Sequence, residues 1–170
     1  TVPTAGQMWG ILSTSGAAGT TQNLNNNIMQ GLVLVSSGQI TGLSHQGSST
    51  GVAINIMNNQ IGTATQDAFT YSAASAGTIL GCFNSAGAPS ATLNMTGNDI
   101  RRVVQNVPGA SSHIYYLNQG FTGSTKLRKN PNPNDTAHTK GNSTLPFICH
   151  NVTHAGGTTH TAHHNSLVGT

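Results

Sequence analysis

Glutamate is absent from this chain, and aspartate occurs only at Asp67, Asp99 and Asp135. Charged residues are 5% of the 170 positions, against roughly 25% in ordinary soluble domains. Polysaccharide cleavage of the common kind uses paired carboxylates, and a calcium cage needs several oxygen ligands from clustered acids. Asp67 and Asp135 fall in loop-like stretches and Asp99 at a turn, so no pair is set up, and the expectation is no catalytic residue and no cofactor. Basic residues are few as well. The six Lys and Arg give a net charge of +3, but only Lys126-Leu127-Arg128-Lys129 and Arg101-Arg102 are locally basic. Neither has the interleaved aromatics of a nucleic-acid surface, which excludes nucleic acid as the expected partner. No run approaches the roughly 20 apolar residues that cross a bilayer as a helix, so no membrane span is expected. Thr1-Val2-Pro3-Thr4-Ala5 lacks the charged and apolar regions of a leader. An export signal is expected to have been removed or to lie upstream, and the chain to be one domain over 1–170, whole or a piece of a longer protein.

Polarity comes instead from Asn, Gly, Ser and Thr, which are turn and strand residues and poor helix formers. Runs such as Leu32-Val33-Leu34-Val35 and Ile79-Leu80-Gly81-Cys82-Phe83 supply a packed interior that disordered chains lack. The composition predicts an all-β domain of many short strands and little helix. An extracellular setting, at a cell surface or in a secreted matrix or virion, suits it best.

Val52, Ile54 and Ile56 alternate with residues that can face elsewhere, at the period of a strand with one buried side. Asn58-Asn59 then turns the chain, and Ile61 returns an apolar side chain to the interior. The pattern recurs at Leu93-Asn94-Met95-Thr96-Gly97-Asn98-Asp99-Ile100, and more weakly near Asn26, Asn130 and Asn165. Aligned on the turn asparagines Asn26, Asn59, Asn98, Asn130 and Asn165, the spacings are 33, 39, 32 and 35. A second column runs through Cys82, Tyr116 and Cys149. Recurrence at such a period is the mark of a solenoid, in which each round buries its face only against the next. The turn asparagines are expected to hydrogen-bond amide to amide along the axis and to accept the left-handed backbone of a tight corner. Two rounds separate Cys82 from Cys149 in this alignment, about 9.6 Å. That is too far for a disulfide, so both thiols are expected to be free and buried.

Asn58-Asn59-Gln60-Ile61 and Gly97-Asn98-Asp99-Ile100 resemble the right-handed parallel β-helix repeat. The Gly/Ser/Thr-rich loops around them are similar to those of large secreted bacterial surface proteins of the Bacteroidetes type. The resemblance implies a right-handed parallel β-helix of about five coils of 32–39 residues. It also implies an elongated surface module or the scaffold of a polysaccharide-binding or -cleaving protein; viral and phage fibres share the architecture.

Five of the eight histidines fall in the last 21 residues: His150, His154, His160, His163 and His164. Imidazoles at such spacings suit zinc or copper, yet no acid is near enough in sequence to orient the rings. The expectation is no metal, with these five as the candidates. Asp135-Thr136-Ala137 resembles the O-glycosylation site of Bacteroidetes exported proteins, which makes Thr136 the candidate modified residue. The functional expectation is a non-catalytic structural or adhesive surface module, presenting loops to a glycan or cell-surface ligand. The alternative is a subunit of an extracellular filament or virion fibre, self-associating end to end through open strand edges.

Overall fold

A computed structural model describes residues 6–14, 19–35, 38–47, 53–71, 77–85, 87, 89–105, 113–121, 123–128, 131–132, 147–154, 160–163 and 166–167. For Tyr71, Gln105, Gly120 and every residue from 131 onward it describes backbone only. Among the described residues the chain is all β, with eighteen strands and no helix. Sheet A orders β1 (Met8–Ser13), β5 (Ile40–His45), β9 (Ile79–Asn84), β13 (His113–Phe121) and β16 (Phe147–His154). Sheet B orders β2 (Thr21–Asn23), β6 (Ala53–Met57), β10 (Thr92–Thr96), β14 (Ser124–Arg128) and β17 (His160–His163). Sheet C holds β3 (Ile28–Met29), β7 (Gln60–Ile61) and β11 (Asp99–Ile100), and sheet D holds β4 (Leu32–Leu34), β8 (Phe69–Tyr71) and β12 (Val103–Gln105). A fifth pair joins β15 (Pro131–Asn132) to β18 (Ser166–Leu167).

Every one of these pairings is parallel. In chain order β1 to β12 visit A, B, C and D in turn, three times over, so each of β1 to β10 pairs with the strand four places later, while β13, β14 and β15 pair with the strand three places later. A parallel pair cannot be closed by a hairpin and needs a long return path. Here the return path is the other three sheets.

The register keeps residue types together. In sheet B, Ile54 pairs with Leu93 and Ile56 with Met95, and all four side chains are buried. Leu93 continues to Thr125 and Met95 to Leu127, also buried. Between them, Asn23 pairs with Asn55 and Asn55 with Asn94 on the opposite face. Sheet C aligns Met29, Ile61 and Ile100. These three point at the glycines of sheet A. A Cβ on Gly81 would lie 2.5 Å from Ile100 Cδ1 and 2.6 Å from the Tyr115 carbonyl, and one on Gly42 would lie 3.0 Å from Ile61 Cδ1 and 2.8 Å from the Gly81 carbonyl. Gly10, Gly42 and Gly81 thus make a groove that receives one apolar side chain from sheet C in each round.

Between β11 and β12 the chain turns a corner at Arg102, whose φ is +56°. Two expectations need correcting. Leu32–Val35 is not apolar on both faces of a covered strand, because Val33 and Val35 are exposed. In sheet A, Tyr116 pairs with Cys82 as expected but with His150 rather than Cys149. That is a one-residue slip, and it moves Cys149 out of the Cys82 column. Cys82 is a free, buried thiol.

The glycine groove makes a direct prediction. Gly81→Ala forces a methyl into backbone and should destabilise the protein by about 1–3 kcal/mol. Gly6→Ala, where nothing lies within 4 Å, should change stability little, and urea titration of the two variants compares them.

Candidate functional site

The described side chains form three columns of amides and one corner of ion pairs. The first column lies where sheet B turns into sheet C. Asn26, Asn58 and Gly97 occupy that turn with φ of +58°, +54° and +68°. Asparagine tolerates this left-handed conformation and glycine is free to adopt it. The next residue in each round points inward. Asn59 donates from Nδ2 to Asn98 Oδ1 (2.8 Å) and to the Leu24 carbonyl (2.8 Å). Its Oδ1 accepts from the Asn27 backbone N–H (3.0 Å) and from Asn27 Nδ2 (2.9 Å). Both protons and both lone pairs of a buried amide are therefore used. Asn98 repeats the arrangement, accepting also from the Asn59 backbone N–H (3.1 Å) and donating to the Ile56 carbonyl (2.8 Å).

Asn27, and not Asn26, stands in this column. Strand pairing sets the step between the first two rounds at 32, from Ile28 to Gln60, so Asn26 falls on the left-handed corner beside Asn58. Asn130 and Asn165 lie outside the described residues.

A second column, unforeseen from the sequence, runs along the outer face of sheet B. Asn94 Nδ2 donates to Asn55 Oδ1 (2.7 Å), and Asn55 Nδ2 donates to Asn23 Oδ1 (2.8 Å). Lys126 follows in register. The signal was available: Asn23, Asn55 and Asn94 repeat at 32 and 39, the same steps as Asn27, Asn59 and Asn98.

The third column joins sheet A to sheet B in the interior. Asn84 Nδ2 donates to Asn118 Oδ1 (2.9 Å), and Asn118 Nδ2 to Thr125 Oγ1 (3.3 Å). His45 Nδ1 lies 2.7 Å from Asn84 Oδ1, and its Nε2 lies 2.7 Å from Gln22 Oε1. Ser13 Oγ also donates to Gln22 Oε1 (3.3 Å). Burial pushes the His45 imidazole below its ordinary pKa, and the hydrogen bond with Asn84 opposes that shift.

The two described aspartates are neutralised. Asp67 pairs with Arg102 (2.8 Å) and Asp99 with Arg101. Among the described residues no three His, Cys, Asp or Glu side chains gather as a metal site. The backbone places His150 and His154 on β16 in sheet A, opposite Tyr116 and Phe121. It places His160 and His163 on β17 in sheet B, opposite Thr125 and Arg128. His164, Thr136 and Asp135 lie outside the described residues. No helix among the described residues is long and apolar enough to cross a membrane. No protein-family model, curated protein or solved structure matches this chain.

The satisfied interior amide is the most sensitive point. Asn59→Ala would leave the Leu24 carbonyl and the Asn27 amide without their partner and the Asn98 oxygen with only the backbone N–H of residue 59, at a cost of about 3 kcal/mol. Asn55→Ala, on the solvent side, should cost less than about 1 kcal/mol. Equal losses in a denaturant titration would contradict this division between inner and outer columns.

Proposed function

We propose that the four recurring sheets are the walls of a right-handed parallel β-helix of about five coils, and that the chain is a non-catalytic structural and adhesive module of an extracellular surface. The observation that carries this reading is the outer column Asn23, Asn55, Asn94 and Lys126, which offers a polar group once in every round on a face braced from behind by buried apolar columns. Contacts that are weak singly add when a rigid support repeats them at fixed spacing. A glycan or cell-surface ligand running along the axis is the partner such a face fits. The near-absence of free carboxylates suits a structural role, since Asp67 and Asp99 are already engaged by arginines.

Self-assembly is the second reading, and a specific observation favours it. β1, β2, β3 and β4 are the terminal strands of sheets A, B, C and D. Among the described residues the exposed large apolar side chains, Leu12 (40%), Ile28 (70%), Val33 (67%) and Val35 (47%), all belong to or border these first strands. Unpaired parallel edges recruit further strands unless charged or capped, and this edge carries no charge. Five coils span only about 24 Å along the axis at the spacing of neighbouring strands. An elongated particle therefore needs several units placed end to end, as copies of this chain or as further coils of a longer one.

Glycan arrays probed with the purified chain test the first reading, which expects weak binding that strengthens steeply when the chain is displayed in several copies. Light scattering and negative-stain imaging across a concentration series test the second. Growth into filaments is expected, and the double substitution Ile28→Lys with Val33→Lys should suppress it while leaving thermal stability within a few degrees. A chain that binds no glycan in any display and stays monomeric throughout would remove both.

A further inference from the structure

The chain has six Lys and Arg residues, and the four that are described serve in two ways. Arg101 and Arg102, at the corner between β11 and β12, each hold an aspartate. Lys126 and Arg128 hold none, because both described acids are already engaged. They stand exposed on β14 with buried Leu127 between them, so both point out from sheet B. Two steps along a parallel strand cover about 6.6 Å, and like charges at that distance repel. The pair therefore costs stability, and no ion pair among the described residues offsets it.

Along the axis the same face changes character. The register sets Lys126 beside Asn94, then Asn55, then Asn23, and Arg128 beside Thr96. β2, β6 and β10 carry no charged residue. An amide nitrogen has two protons, and the column uses one from Asn94 and one from Asn55. The second proton of each is left for a ligand oxygen. Ala53 and Met57 flank Asn55 on the same face, so this round presents carbon, amide and carbon, the mixture that a sugar ring presents in return. Neighbouring rungs lie about 4.8 Å apart, close to the length of one unit in an extended sugar chain. None of these four strands carries an aromatic side chain on which a nucleobase could stack.

We propose, resting on the glycan reading above, that the outer face of sheet B takes an oligosaccharide that is neutral along most of its length and acidic at one end. Lys126 and Arg128 hold the carboxylate or sulfate. The planar guanidinium suits either anion as a two-pronged donor, and the ammonium adds a point charge beside it. The neutral units lie along the amides of Asn94, Asn55 and Asn23, so the charge fixes which way along the axis the ligand runs. A polymer charged on every unit fits less well. Past Lys126 the column offers amides only, and each further anion would lose water without gaining a cation.

A glycan array probed with the full chain, displayed in several copies, tests the acidic end. The probes are neutral oligosaccharides, the same oligosaccharides ending in one sialic acid, one uronic acid or one sulfated sugar, and the fully charged heparin and single-stranded DNA. Acid-ended probes should bind about tenfold tighter than their neutral parents at low ionic strength. The gain should shrink at about 1 M salt, where charges more than about 3 Å apart are screened. Whether it follows the carboxylate probes, the sulfate probes or both identifies the anion. Lys126→Gln with Arg128→Gln should remove the gain and leave neutral binding and the melting temperature as they were. Adding Ala64→Lys and Thr65→Lys, at exposed positions away from sheet B, restores the net charge and should not restore the gain. Equal binding of neutral and acid-ended probes, a gain that survives the double substitution or returns with the displaced lysines, or tighter binding of heparin or DNA would overturn the acidic end while leaving the glycan reading standing. Binding of no probe at all would overturn both.

Discussion

The buried amide of Asn59 sets the terms for the rest of the structure. Each of its four hydrogen-bonding positions is met by a group from a neighbouring round: Asn27 on one side, Asn98 on the other, and the Leu24 carbonyl. A buried amide with one of these missing would cost as much as the hydrogen bond is worth in a dry interior. The side chain therefore demands that positions 32 before and 39 after it stand directly beside it. Once those distances hold, the strands on either side of the corner are in register, and Ile54 meets Leu93 and Ile56 meets Met95 without further instruction. The apolar columns supply most of the stabilisation. The amides decide which register supplies it, since a one-residue slip would bury polar groups and expose apolar ones along an entire strand.

Much of this order is legible in the sequence, with errors that have physical causes. Asn59 and Asn98 are readable because each follows one left-handed residue and precedes an isoleucine by two. Asn26 is misread because Asn25-Asn26-Asn27 offers three asparagines in a row. Only the pairing of Ile28 with Gln60 shows that Asn27 is the inward one. Cys149 is misread for a related reason. Phe147-Ile148-Cys149-His150 contains apolar residues in both phases of the strand, so composition does not separate His150 opposite Tyr116 from the alternative.

Two features escape a search for repeated residue types. Gly10, Gly42 and Gly81 share the 32 and 39 steps, but in a chain with 21 glycines a recurrence among them does not stand out. Their meaning lies in what they face, the Met29, Ile61 and Ile100 column of another sheet. His45 is harder still. It stacks on Asn84 and Asn118, so its column is continuous in hydrogen bonding but not in residue identity.

The account rests on asparagines 39 residues apart being hydrogen-bonded neighbours. The most direct measurement is a nuclear Overhauser spectrum of the native chain with all asparagine side-chain amides assigned. It should show a cross-peak between the Nδ2 protons of Asn59 and those of Asn98, with the Asn59 protons exchanging slowly with water. Absence of that cross-peak, with Asn59 protons exchanging as fast as those of a solvent-facing asparagine, would contradict it.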